Sequence, residues 1–191
     1  MSTKLGQALI RRGLITATQL RVALRNQLTL GGHLGTSLLE LGLVSEQQLG
    51  LTLADTLGVP YARPGVFRRI PVAVAGALPK RVVGEYRAVP FRERGTILDV
   101  AMVNPRDQSA IDALTFAARC RISPWVAPEV CILGVMEKLY WIARPARYVV
   151  IGHSLETTGR RVVRPRPVRG RSPSSPVPAK KSAKGGRSPR S

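Results

Sequence analysis

The sequence predicts an α+β chain: an N-terminal four-helix tandem repeat, a small three-stranded sheet covered by helices, then a disordered basic tail. Three observations carry this reading. Residues 4–27 and 33–56 align at an offset of 29, with eight of 24 positions identical. Residues 87–141 alternate strand-like and helix-like stretches in the order ββαβα. Residues 160–191 hold eleven Lys and Arg, no Asp or Glu, and six of the 15 prolines. The chain thus divides into a helical repeat over 1–57, a small α/β unit over 58–145, and a linker with a basic tail over 146–191.

Each repeat copy reads as a short helix, a stop and a longer helix. Leu5 and Leu9, like Leu34 and Leu38, recur at i, i+4, with Ile10 and Leu39 widening the apolar stripe. Gly13 and Gly42 stand where a glycine ends a helix in the left-handed conformation. Thr16-x-x-Gln19 and Ser45-x-x-Gln48 then fit the capping box. Leu20/Leu24 and Leu49/Leu53 line one face of the second helix in each copy.

Gly6 and Gly35 fit this pattern less well, because glycine inside a helix costs about 1 kcal/mol relative to alanine. Their recurrence predicts either a close approach to the backbone or free amide groups facing a phosphate. Lys4 and His33 stand two positions before them. Two such sites in tandem suit a ligand with pseudo-twofold character; a purely structural helical repeat explains them as well.

The connector 58–64, GVPYARP, reads as extended. Pro71 suits the start of a helix running to about Leu78, and a second short helix follows over Lys80–Glu85. Arg87–Phe91 and Thr96–Val103 form a hairpin turning at Glu93-Arg94-Gly95. Asp107 caps a helix to about Ala118, Arg121–Ala127 is the third strand, and Val130–Trp141 is the last helix.

Composition narrows the function. The 191 residues carry a net charge of +19, of which the tail holds +11 and residues 1–159 hold +8. No stretch approaches the roughly 20 apolar residues of a membrane span, and the N-terminus lacks the pattern of a secretory signal, so a cytoplasmic protein is expected. Cys120 and Cys131 match no metal or redox spacing and read as small core residues. Asp99, Asp107 and Asp112 read as caps and solvated surface; Trp125, Tyr140 and Trp141 read as core and boundary aromatics. No GxSxG, HExxH or GxxxxGK[ST] motif occurs, so no catalytic activity is expected and no cofactor is required.

The pattern RLGxxL[LIV]xxGL[LIV]xxxxLxxxLxxQ, given twice across the five-residue spacer Leu28–Gly32, resembles that of MshEN domains. These are the N-terminal domains of type II secretion and type IV pilus assembly ATPases of the GspE/PilB kind. The resemblance implies a module in which each motif holds half of a cyclic di-GMP molecule. Carried over by position, the first copy contributes Lys4, Leu5, Gly6, Leu20, Leu24 and Gln27. The second contributes His33, Leu34, Gly35, Leu49 and Leu53.

Three polar positions depart from the pattern. Lys4 and His33 replace both arginines, and Thr56 replaces the second glutamine. Lysine keeps the charge but loses the planar fork that suits phosphate and guanine edges.

Two functions therefore follow from the sequence. One is a regulatory or adaptor domain that binds cyclic di-GMP or docks secretion- and pilus-type proteins. The other is a nucleic-acid-associated protein, or one bound to an anionic surface, whose tail 160–191 supplies the affinity.

Overall fold

A computed structural model describes residues 2–148 of the chain. The basic tail over 160–191 lies outside the described residues. In chain order the elements are α1 (Ser2–Arg11), α2 (Ala17–Leu30), α3 (Leu34–Glu40) and α4 (Glu46–Leu57), a 3-10 turn at Pro64–Phe67, then α5 (Val72–Ala75), α6 (Lys80–Tyr86), β1 (Ala88–Arg94), β2 (Ile97–Met102), α7 (Gln108–Ala118), β3 (Arg121–Val126) and α8 (Glu129–Tyr140).

The repeat folds as two helix pairs. Gly13 and Gly42 take left-handed φ values of 66° and 62° after the short helices. Both capping boxes form. The Thr16 hydroxyl accepts from the Gln19 amide (3.2 Å) and the Gln19 side chain accepts from the Thr16 amide (2.8 Å). Ser45 and Gln48 repeat the same two distances. The pairs then interlock: α1 packs chiefly on α4, and α2 on α3.

The sheet has the order β1-β2-β3, with β1 antiparallel and β3 parallel to the central strand. Parallel pairing requires a crossover, which α7 supplies. The connector lies beside β3, where the Ala62 amide donates to the Val126 carbonyl and the Val126 amide to the Pro60 carbonyl, both at 2.9 Å. One apolar cluster runs from Leu5 and Leu9 through Val89, Val100 and Leu114 to Met136 and Tyr148.

Several details differ from the sequence reading. The first helix after Pro71 is a single turn, because Gly76 closes it by donating to the Val72 carbonyl (2.9 Å). The connector bends into the 3-10 turn from Pro64. The hairpin turn is tighter than expected: Arg94 already pairs with Ile97, and Gly95 turns the chain at φ 58°.

Charge pairing explains this longer β1. Asp99 is not solvated surface; its side chain is fully buried. Arg92 donates to its Oδ2 at 2.6 Å, and Arg94 grips both oxygens at 3.0 and 2.6 Å. Burial acts to raise the Asp99 pKa, but the hydrogen bonds from Arg94 and Arg92 outweigh it and hold the carboxyl below its ordinary value. Arg92 also lies over Trp125 (5.3 Å to the ring centre), which stacks edge-on against Phe91. Trp141, expected at a core boundary, is 84% exposed and ends α8 in the left-handed conformation.

Candidate functional site

The two motif glycines have a clear structural partner. A Cβ on Gly6 would stand 2.7 and 2.8 Å from the Leu20 methyls, and one on Gly35 would stand 3.1 and 3.4 Å from those of Leu49. In each copy the longer helix lays a leucine over the glycine of the shorter one. The close approach expected at these glycines is therefore made by the protein itself.

A cleft of about 350 Å³ gathers seven of the eleven candidate residues. The first turn of α1 contributes Lys4 and Leu5, and the start of α3 contributes His33, Leu34 and Gly35. From α4 come Leu49 and Leu53, with Thr56 at the position of the second glutamine. The sheet closes the other side through Asn104 and Arg106 after β2, and through Pro128 and Glu129 at the start of α8. Apolar walls thus face a rim bearing Lys4, His33 and Arg106, a common composition for small-molecule sites.

The remaining four candidates lie elsewhere. Gly6 is buried under Leu20, and Leu20 and Leu24 pack on the core. Gln27 turns its amide to the Gly32 carbonyl at 2.9 Å, bracing the loop between the copies. The cleft is therefore asymmetric, built from the second copy and the tip of the first.

The buried carboxylate of Glu129 dominates one end, although the sequence reading passed it over. Tyr148 donates to its Oε2 at 2.8 Å and Thr36 at 3.1 Å. Arg87 donates to Oε1, and the His33 Nε2 stands 3.9 Å from that same oxygen. Burial, and then the hydrogen bond to Glu129, push the Tyr148 pKa upward, so the phenol remains a donor. The only sequence signal for this site was a Pro-Glu pair at a helix start.

Residues 147 and 148 hold the second copy in place. Arg147 donates to the Leu30 and Gly31 carbonyls at 3.1 and 2.9 Å, covering the C-terminal end of α2. It also pairs with Glu40 at 2.7 Å, and that hydrogen bond is the main cause of the lowered Glu40 pKa. A charge at a helix C-terminus is favourable when positive, as here.

Cys131 and Glu46 meet beside α8, where the thiol donates to Oε1 at 2.7 Å and burial raises its pKa strongly. Cys120 and Cys131 are both free thiols. Among the described residues no cluster of His, Cys, Asp and Glu is suited to a metal ion. Among them, too, no helix is long and apolar enough to cross a membrane.

Comparison with known proteins places this architecture. The MshEN domain family matches over residues 57–144. The chain is 34% identical over 152 residues to the type IV pilus assembly ATPase PilB of Myxococcus xanthus, covering 80% of this chain and 27% of that protein. It is 30% identical over 140 residues to PilB of Thermus thermophilus, covering 72% of this chain and 16% of that protein. The chain thus spans about a quarter or less of these relatives. A structure of MshE with cyclic di-GMP superposes at a TM-score of 0.56 and 30% identity, covering 71% of this chain and 98% of that one. The N-terminal domain of XpsE follows at 0.51 and 28%, covering 71% and 93%. With its leucine-glycine repeat, three-stranded sheet and these relatives, the chain belongs to the MshEN domain family of secretion and pilus ATPase N-terminal regions.

Proposed function

We propose that this chain is a non-catalytic regulatory or adaptor domain of the cytoplasm that binds cyclic di-GMP in the cleft at α1, α3 and α4. One observation carries the reading: seven motif residues converge on one cleft, in a chain that aligns with nearly all of the MshE structure solved with that dinucleotide. Leu53 offers apolar surface to a purine above the buried Leu34 and Leu49, while Lys4 offers positive charge and His33 an imidazole hydrogen-bonding group to phosphate. Binding then changes how the domain presents itself to a secretion- or pilus-type protein.

Calorimetric titration of the whole chain tests this, with GTP and cyclic di-AMP as controls. Saturable binding of cyclic di-GMP alone is expected. His33→Arg restores one charged fork and should tighten that binding about tenfold. Absence of binding by wild type, by His33→Arg and by the Lys4→Arg/His33→Arg double variant would overturn the proposal.

A further inference from the structure

The cleft is poor in arginine at the two motif positions, yet an arginine from outside the repeat reaches it. Arg106 belongs to the turn between β2 and α7, after Asn104-Pro105, and lines the cleft with Lys4 and His33. Its Nε donates to the Leu57 carbonyl at 2.9 Å, which fixes the guanidinium at the C-terminal end of α4. No hydrogen bond or ion pair engages its two terminal nitrogens among the described residues. They form a free end-on fork, the arrangement that takes two oxygens of a phosphate.

Charge around the cleft favours this position. Near His33 lies the Glu129 carboxylate, which repels an anion even though Arg87 partly neutralises it. The Arg106 side has no acidic lining residue. Lys4 joins it across the same cleft, and Lys4 and Thr56 also border an adjoining cleft of about 510 Å³ that carries Arg11 and an Arg12–Asp55 ion pair, so Arg11 and Lys4 supply its net positive charge. An anionic group entering between α1 and the β2–α7 turn therefore meets positive charge, whereas one entering beside Glu129 does not.

We propose that Arg106 supplies the guanidinium missing from positions 4 and 33, and contacts a phosphate of the bound dinucleotide through its two terminal nitrogens. This rests on the cyclic di-GMP reading. The ligand is then held by one fork from the sheet and one ammonium from the repeat, rather than by a matched pair of motif arginines. Binding also bridges the β2–α7 turn to the first turn of α1.

The test is calorimetry of the full chain with cyclic di-GMP, comparing wild type, Arg106→Ala, Arg106→Lys and a distant control, Arg81→Ala. Arg106→Ala should weaken binding about ten- to hundredfold and Arg106→Lys by less, while Arg81→Ala leaves it unchanged. Circular dichroism melts of each variant separate loss of contact from loss of fold, and Arg106→Gln offers a second neutral variant should Arg106→Ala melt early. If wild type binds and both neutral variants bind equally well, Arg106 has no such role and the cyclic di-GMP reading stands. If neither wild type nor the arginine-restored variants bind, both proposals fall.

Discussion

The side chain of Leu20 lies directly over Gly6, so near that a methyl on the glycine would stand 2.7 Å from Leu20 Cδ1. Leu49 covers Gly35 in the same way with more clearance, 3.1 Å at its nearest. Alanine at either site gains about 1 kcal/mol of helix propensity but must displace a leucine, and overpacking costs about 1–3 kcal/mol. Gly6→Ala should therefore lower stability by about 1 kcal/mol, and Gly35→Ala should be nearly neutral. Urea melts of Gly6→Ala alone and in a Leu20→Ala background settle the mechanism. In the second background the alanine should become neutral or stabilising, and equal losses in both would point away from the leucine.

Gly50 is a sharper case. Its counterpart in the first copy is Arg21, which is exposed, whereas Gly50 is buried with a prospective Cβ 2.2 Å from the Tyr61 ring. A ring wedged between α4 and the sheet yields less than a leucine tip. Gly50→Ala should cost more than about 2 kcal/mol, and the order Gly50, Gly6, Gly35 in thermal midpoint loss is the measurable outcome.

Removal of Glu129 strands its donors. Glu129→Ala leaves Arg87, Thr36 and Tyr148 without their shared acceptor, a loss of about 3 kcal/mol for a buried pair, reduced because Arg87 is half-exposed. Tyr148→Phe removes one hydrogen bond and should cost about 1 kcal/mol. In a double-mutant cycle the Tyr148→Phe penalty should shrink sharply once Glu129 is alanine; an unchanged penalty would mean the two act separately.

Asp99 sets an acid limit. Its folded pKa lies below the ordinary 3.8. The stabilisation from Arg92 and Arg94 is therefore complete above about pH 4 and is lost as pH falls through the lower folded value. Thermal midpoints should drop steeply below pH 4, and Asp99→Asn should be less stable at pH 7 with a flatter acid profile. A wild-type slope retained in Asp99→Asn would assign the acid sensitivity elsewhere.

The two capping boxes give a simpler check. Thr16→Ala and Ser45→Ala should each cost about 1 kcal/mol, and the double variant about their sum, since the boxes share no hydrogen-bond partner. A much larger loss in the double variant would reveal coupling between α2 and α4.

The helical repeat was readable because its signals are local. Leucine spacing, Gly13 and Gly42, and the Thr16 and Ser45 boxes each depend on residues within one turn, and all four helices follow from them. The sheet's order was partly readable, but the span of β1 was not. Arg92 and Arg94 look like turn residues until Asp99 is placed opposite them, and that pairing exists only in the folded sheet. The cleft shows the same division. Seven of its residues were motif candidates of the repeat, whereas Arg106 and Glu129, from outside the repeat, entered through tertiary packing. Arg106 sits 50 residues after Thr56, behind an Asn-Pro turn that carries no ligand signature. Gln27 shows the converse, since a motif position here serves the loop at Gly32.

The crosswise packing of α1 on α4 and α2 on α3 means that one copy of the repeat is half a fold. Released as a separate peptide, either copy would keep its own leucine-on-glycine contact but leave the rest of its two apolar helix faces uncovered. Its simplest remedy is a second molecule of itself, arranged about a twofold axis. The covalent chain has replaced that axis with the five residues from Leu28 to Gly32, and in doing so has freed the two halves to diverge. One half could then give up its outer face to the connector at Tyr61 while the other kept an arginine there.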